Sequence, residues 1–393
     1  MDNVIFGAGK ISRGFLAHLL YLAGEDFVFI EKDRRLTELI NEWKKYGLYV
    51  FGLPEKNITI KGAKAISGDD VESAAQAIAG ANLVLISIGG KNLPQIAPLL
   101  AAGVQRRLEE KAGKHMNIIT CENWLGPADL IRKEILQQLN AEFADAFDET
   151  IGVSQAVVLR TAIEADEEIL ADDPLALNVS NHWILPLDGS LIKGTLPRID
   201  GISPIEPFNH LLDRKLFTYN AASATISYLG YLKGYEILSE AIRDEYIEEI
   251  LMGVYDETGT ALCRKYGLPV EMQEELKAGS YEKYRDRRIV DMLERNARDP
   301  IRKLGPGDRM VGPAKLAIEY GIEPVNLATV IAAAIFYDHP ADPIARQLRN
   351  KLNTEGIDAV LKDICGIEPA GKLAVLINQK VDELGKIGLI KKR

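Results

Sequence analysis

The segment Asn3-Val-Ile-Phe-Gly7-Ala-Gly9-Lys10-Ile-Ser12-Arg13-Gly14-Phe15 constrains the fold more than any other stretch of the chain. A short apolar run ends at Gly7, a second glycine follows, and an apolar-periodic segment opens at Phe15, Leu16, Leu19 and Leu20. That order means strand, tight turn, helix. The first glycine permits the turn, and the second lets the backbone approach a pyrophosphate held by amides at the helix N-terminus. The next apolar run, Phe27–Ile30, ends in Glu31, where a dinucleotide-binding unit wants an acid for the ribose hydroxyls. Ser12 occupies the place of the third glycine of G-x-G-x-x-G and is small enough for close packing of helix on strand. The expected cofactor contacts are therefore Gly7, Gly9, Ser12, Arg13, Gly14 and Glu31. An acid at position 31 also repels a 2′-phosphate, which favours NAD over NADP, with Lys32, Arg34 and Arg35 close enough to soften the preference.

Strands continue to alternate with helices through residue 140. Leu83–Ser87 reads as a buried strand running into Gly89-Gly90, and Met116–Cys121 as another running into Glu122-Asn123. Such alternation calls for a parallel, doubly wound sheet of Rossmann type, whose ligands sit beyond the carboxyl ends of the strands. Gly89 and Asn123 fall at such ends and join the expected cofactor contacts. Short strand-like runs from Ile151 to about Ile202 extend the sheet. From Glu206 onward the pattern is helical, and Leu327–Tyr337 reads as a buried helix. The expected architecture is α/β: a dinucleotide-binding domain with extra strands over residues 1–202, then an all-helical domain over 203–393, with a catalytic cleft between them.

Composition removes several alternatives. A formal charge of −10 argues against non-specific nucleic-acid binding. No apolar run is long enough to span a bilayer, and the N-terminus enters strand pattern without the basic start of a signal peptide. The three cysteines and five histidines are scattered, so neither a disulfide framework nor a metal site is expected, and the chain reads as a cytoplasmic protein with reduced thiols.

Outside the first domain, the segment Arg214-Lys-Leu-Phe-Thr-Tyr-Asn-Ala-Ala-Ser223 carries the chemistry best. Lys215, Tyr219 and Ser223 recur every four residues on one helical face, with Asn220 alongside. A lysine works as acid or base near neutrality only when burial or neighbouring charge lowers its pKa by about two or three units; the alternative is an ordinary solvated lysine. Between Lys283 and Arg309, nine Lys/Arg stand against five Asp/Glu, a local excess of positive charge suited to a sugar phosphate.

The run Lys-Leu-Phe-Thr-x-Asn followed by Tyr228-Leu-Gly230 resembles the active-site helix of the polyol-specific long-chain dehydrogenases. The similarity continues in Phe6–Gly9, Arg13–Phe15, Ile96-Ala-Pro98, Asn117-Ile-Ile-x-Cys-Glu-Asn123, Lys193-Gly-x-Leu-Pro197 and Arg302-Lys-Leu-x-x-Gly-Asp-Arg309. The resemblance implies a metal-independent oxidoreductase using NAD, with Lys215 as general acid/base, Asn220 polarising the substrate oxygen and Asn123 near the nicotinamide. It also implies Lys193, Arg302, Lys303 and Arg309 as substrate contacts, a polyol or sugar phosphate as the small-molecule partner, and mannitol 1-phosphate and fructose 6-phosphate as the leading pair. Two positions depart from the family. Ser223 stands where it has histidine, and Val158 where it has an acid. A hydroxyl hydrogen-bonds but carries no proton at neutral pH as imidazole does, which leaves open an unphosphorylated polyol, a keto-sugar acid such as tagaturonate or fructuronate, or a non-catalytic NAD-binding protein.

Overall fold

The computed structural model describes residues 3–390 except 111–113, 123 and 125. Contacts divide the chain into two units, Met1–Phe208 and Asn209–Arg393.

The first unit opens with β1 (Asn3–Phe6), β2 (Phe27–Glu31), β3 (Lys45–Val50), β4 (Ile58–Lys61), β5 (Ala65–Ser67) and β6 (Leu83–Ile86). It continues with β7 (Met116–Thr120), β8 (Ile151–Gln155), β9 (Ala162–Glu164), β10 (Leu177–Val179), β11 (Leu185–Asp188) and β12 (Ile202–Ile205). Six of these form one sheet in the order β5-β2-β1-β6-β7-β8, parallel throughout. The strand order reverses between β1 and β6, the point where a doubly wound sheet opens a crevice.

Apolar residues alternate between its two faces. Val4, Phe6, Val28, Ile30, Val84 and Ile86 pack under the helices Val71–Gly80, Leu93–Glu110 and Pro127–Gln138. Ile5, Phe29, Leu83 and Leu85 pack on the other side against Phe15, Leu16, Leu19 and Leu20 and against a second sheet. That sheet, β4-β3-β10-β9, is built from the β3–β4 hairpin inserted before β5 and from the later short strands. Covering both faces is what buries β1, β6 and β7 along their whole length.

Every regular element of the second unit is a helix among the described residues. Its centre is Val325–Ile335, of which Leu327–Ile335 are all buried. Small side chains (Ala328, Ala332, Ala333 and Ala334) let Ala221–Leu232, Glu245–Tyr266 and Lys372–Lys386 pack around it in one core. The helical pattern expected from Glu206 onward is interrupted after Leu232: Gly234 adopts φ +82, and Asp244 caps a new helix by accepting from the amides of Tyr246 and Ile247. No helix among the described residues is long and apolar enough to cross a membrane.

Candidate functional site

The first unit carries a pocket of about 650 Å³ beyond the carboxyl ends of β1, β2, β5 and β6, lined by Gly7, Gly9, Glu31, Lys32, Asp69, Ser87 and Ile88 among others. Gly7 adopts φ +81, and a Cβ there would lie 2.7 Å from the Ser87 carbonyl oxygen, so the turn admits no side chain. At Gly9 a Cβ would meet no atom within 4 Å, leaving the backbone bare towards the crevice. Glu31 accepts from the amide of Ala8 at 2.6 Å and from that of Asp33 at 2.8 Å, which fixes its carboxylate against the turn. These are the features a dinucleotide requires: open amides at a helix start and an acid one strand away.

Three other expected cofactor contacts are turned inward. Ser12 is fully buried and donates to the Ser87 carbonyl at 3.4 Å. Arg13 is buried with its guanidinium on the carbonyls of Ala8 and Leu175. Gly14 faces the second sheet, where a Cβ would come within 2.9 Å of Ala162 and 3.1 Å of Val179. All three brace the turn from behind; the helix opens with a π-type turn over Ser12–Leu16, which carries them away from the pocket. Gly89, with φ +86, donates its amide to Glu122 at 3.0 Å rather than lining the pocket. Asn123 lies outside the described residues.

Asp69 escaped the sequence reading, and Glu122 was read there only as a strand end. Asp69 follows β5, a three-residue strand too short to announce itself. Glu122 accepts from the amides of Ile88 at 2.7 Å and Gly89, tying the loop after β6 to the end of β7. Burial pushes its carboxyl up to about 7 against the opposing pull of those amides. Arg160 is a third: it is buried, stands over the rings of Trp183 at 4.3 Å and Phe15 at 5.5 Å, and none of its nitrogens has a hydrogen bond among the described residues. Lys193 is placed at the wrong end of the sheet for a ligand contact. Its amide and carbonyl are pinned by the Asn117 side chain, both at 2.9 Å, beside the amino end of β7.

In the second unit, Lys215 ends the helix Asn209–Lys215, and a π-type turn follows over Leu216–Asn220 before the helix Ala221–Leu232. The Ala221 amide bonds back to Leu216, a five-residue step. Within that step Asn220, rather than Tyr219, completes the turn begun at Lys215, so the four-residue spacing expected from the sequence is replaced by a five-residue one. Neighbouring Arg214 is buried and anchors the turn: its Nε donates to Gln273 at 3.1 Å, and Gln273 donates to Thr218 at 2.8 Å. Burial first, then Lys283 and Arg309, brings the Lys215 ammonium down to about 8.

Ser223 is nearly buried and donates to Asn296 Oδ1 at 3.2 Å. Tyr284 donates its hydroxyl to the Tyr219 carbonyl at 2.9 Å, holding the π turn from the helix Val270–Arg285. The expected phosphate contacts are engaged with the protein itself. Arg302 pairs with Asp299 at 2.7 Å and Asp308 at 3.3 Å, and Arg309 with Asp308 at 2.8 Å. The Lys303 ammonium is buried on the carbonyls of Asn296 and Arg298 and is lowered to about 7 by burial and by Arg309 and Arg302. Among the described residues, no three His, Cys, Asp or Glu side chains converge as metal ligands would.

The sequence model of the mannitol dehydrogenase Rossmann domain matches residues 1–201, and that of the mannitol dehydrogenase C-terminal domain matches 205–384. Mannitol-1-phosphate 5-dehydrogenase of Brevibacillus brevis is 33% identical over 387 residues, covering 98% of both chains. The enzyme of the same name from Bacillus subtilis is 33% identical over 379 residues, covering 96% of this chain and 99% of its own. Among solved structures, Pseudomonas fluorescens mannitol 2-dehydrogenase, in ternary complex with NAD and D-mannitol, superposes with a TM-score of 0.79 at 16% identity, over 99% of this chain and 92% of that one. A substrate-free D-sorbitol dehydrogenase gives 0.78 at 17% identity, over 98% and 93%.

Proposed function

The chain belongs to the mannitol dehydrogenase family, and on that premise we propose that it is an NAD-dependent oxidoreductase interconverting a polyol phosphate and a ketose phosphate, of the mannitol 1-phosphate and fructose 6-phosphate type. The observation that carries the chemistry is Lys215: a lysine lowered to about 8 at the mouth of a π turn can hold or release a proton at working pH.

The residues of the first unit fit NAD: a bare Gly9 backbone, a side-chain-free Gly7 turn and an amide-held Glu31. When bound, the cofactor supplies or accepts the hydride. In the reducing direction, the ketose carbon gains a hydride while its oxygen takes a proton from Lys215 Nζ, and the C=O π electrons become the new O–H bond. The Asn220 carboxamide donates to the same oxygen and stabilises charge as it develops there. Lysine is left neutral and recovers its proton from solvent. In the oxidising direction neutral Lys215 takes the hydroxyl proton. The site is assigned to the cytoplasm, in keeping with three free thiols and a phosphorylated metabolite.

A second reading, an unphosphorylated ketose or keto-sugar acid, draws on one observation: Arg302, Lys303 and Arg309 already bond to the protein's own acceptors. NADH oxidation with fructose 6-phosphate, fructose, tagaturonate and fructuronate, run beside NADPH, decides between them. The proposal expects turnover with fructose 6-phosphate and NADH; turnover with an unphosphorylated substrate alone overturns it. Lys215→Met should lower kcat by about 100- to 10,000-fold with NADH affinity kept, whereas a non-catalytic NAD-binding protein would show little change.

A further inference from the structure

Two cations of the second unit, Lys283 and Arg309, act on Lys215, and with Arg302 and Lys303 beside Arg309 they differ in how they are neutralised. Arg309 and Arg302 share Asp308, Arg302 also holds Asp299, and Lys303 points its ammonium into two carbonyls. Lys283 has neither a hydrogen bond nor an ion pair among the described residues. Its ammonium stands 5.7 Å from the Tyr219 ring centroid and 5.8 Å from that of Tyr284. Rings position a cation without neutralising it, and leave its three N–H donors available.

The platform is built and fixed. Tyr284 is tied through its hydroxyl to the Tyr219 carbonyl, at the residue before Asn220. On the same helix as Lys283, Gly279 leaves room for the Tyr219 hydroxyl, which would lie 2.9 Å from any Cβ there. Both rings are thus held by the segment that carries Lys215. Asp291, the acid that acts on Lys283, faces Arg295 at 3.6 Å and is shared with it. Burial and Arg295 hold the Lys283 pKa below the ordinary lysine value, and Lys283 in turn depresses Lys215. Two ammonium groups and a guanidinium meet here with one carboxylate fully engaged and one half-engaged. Such a site gains from a dianion, and a phosphate monoester carries about −1.5 to −2 charges at neutral pH.

We propose that Lys283, seated on Tyr219 and Tyr284, is the group that receives the substrate's phosphate and so selects a phosphorylated ketose over a plain one. The inference rests on the polyol-phosphate reading above. It differs from what the sequence motif suggests, because Arg302 and Lys303 act as frame and Lys283 as the ligand contact.

The test uses the full-length enzyme with Lys283→Met and Lys283→Arg, following NADH oxidation by fructose 6-phosphate with inorganic phosphate as competing probe. Lys283→Met should raise KM for fructose 6-phosphate by about 30-fold and weaken inhibition by inorganic phosphate about tenfold, the range of one charge-assisted hydrogen bond. KM for NADH and the thermal midpoint should be unchanged, and Lys283→Arg should restore most of the loss. Removing this cation should also raise the Lys215 pKa and move the pH limb of kcat/KM upward. If wild type turns over fructose 6-phosphate while Lys283→Met keeps its KM and its phosphate inhibition, the inference falls and the proposed reaction stands. A moved pH limb with no change in phosphate inhibition reduces Lys283 to a tuner of Lys215 and equally overturns it. Should Lys283→Met fail to fold, Lys283→Arg and Lys283→Gln carry the comparison: equal phosphate inhibition in the two refutes it. Wild-type turnover of unphosphorylated ketoses alone removes reading and inference together.

Discussion

In the first unit, the turn expected to meet the cofactor presents bare backbone at Gly7 and Gly9 and is braced by side chains behind it. Glu31, Arg13 and Glu122 each bond to main-chain atoms of the loops they hold. In the second unit, the proposed chemistry is carried by side chains. Lys215 and Asn220 lie on one turn, but Ser223, Lys283, Asn296 and Arg309 arrive from other points of the helical chain, and their charges are only partly compensated. Backbone sites are rigid and chemically uniform, which suits a cofactor used by many enzymes. Side-chain sites tolerate substitution, and Ser223, where the resemblance implies histidine, is the position at which that tolerance is expected.

The largest expected effects separate the two glycines of the turn. Gly7→Ala forces a Cβ against the Ser87 carbonyl in a left-handed backbone, and should cost about 3 kcal/mol or more of stability. Gly9→Ala meets no protein atom, so the thermal midpoint should hold while NADH binding weakens by about tenfold or more. Thermal unfolding with and without NADH checks both. Equal loss of stability in the two variants would show that Gly9 is also a folding requirement and blur the contrast.

A smaller effect concerns the proton. With Lys215 held at about 8, reduction needs the ammonium and should decline as pH rises through about 8, while oxidation needs the amine and should rise over the same interval. Limbs near the ordinary lysine value in both directions would mean that neither burial nor Lys283 and Arg309 act on it as the structure implies.

The same contrast decides what was legible in the sequence. The turn at Gly7, the bare backbone at Gly9 and the strand-end place of Glu31 could be read because they follow from spacing along one strand–turn–helix. Arg13 and Gly14 belong to the same motif, yet the π turn aims them at β10 and the loop before it, and no periodicity reveals a π turn. The β5 strand, three residues of Ala-Ile-Ser, carries too little pattern to be seen, and Asp69 was lost with it. Lys193 looked like a ligand contact until Asn117 fixed it at the amino end of β7. The pairing of Arg302 with Asp299 and of Arg309 with Asp308 is local, three residues apart or adjacent, and was present in the sequence as a sign that those cations serve the frame. Lys283 over Tyr219 joins residues 64 positions apart, so no local pattern contains it.

Glu122 is where the first unit most resembles the second, because it is a buried charge that its partners only partly offset. Burial holds its folded pKa at about 7, above the unfolded carboxylate, so the neutral form is the favoured one in the native state. The stabilisation this gives is fully present below the unfolded pKa, near 4.3, and is lost as pH rises through about 7. Glu122→Gln keeps an oxygen to accept from the Ile88 and Gly89 amides and removes the titration. The variant should therefore match wild type near pH 4 and exceed it at pH 8 by on the order of 3 kcal/mol, read as a higher thermal midpoint. A difference that stays constant between the two pH values would mean that the amides fully compensate the carboxylate, and Glu122 would then belong with Glu31 among the neutralised braces of the turn.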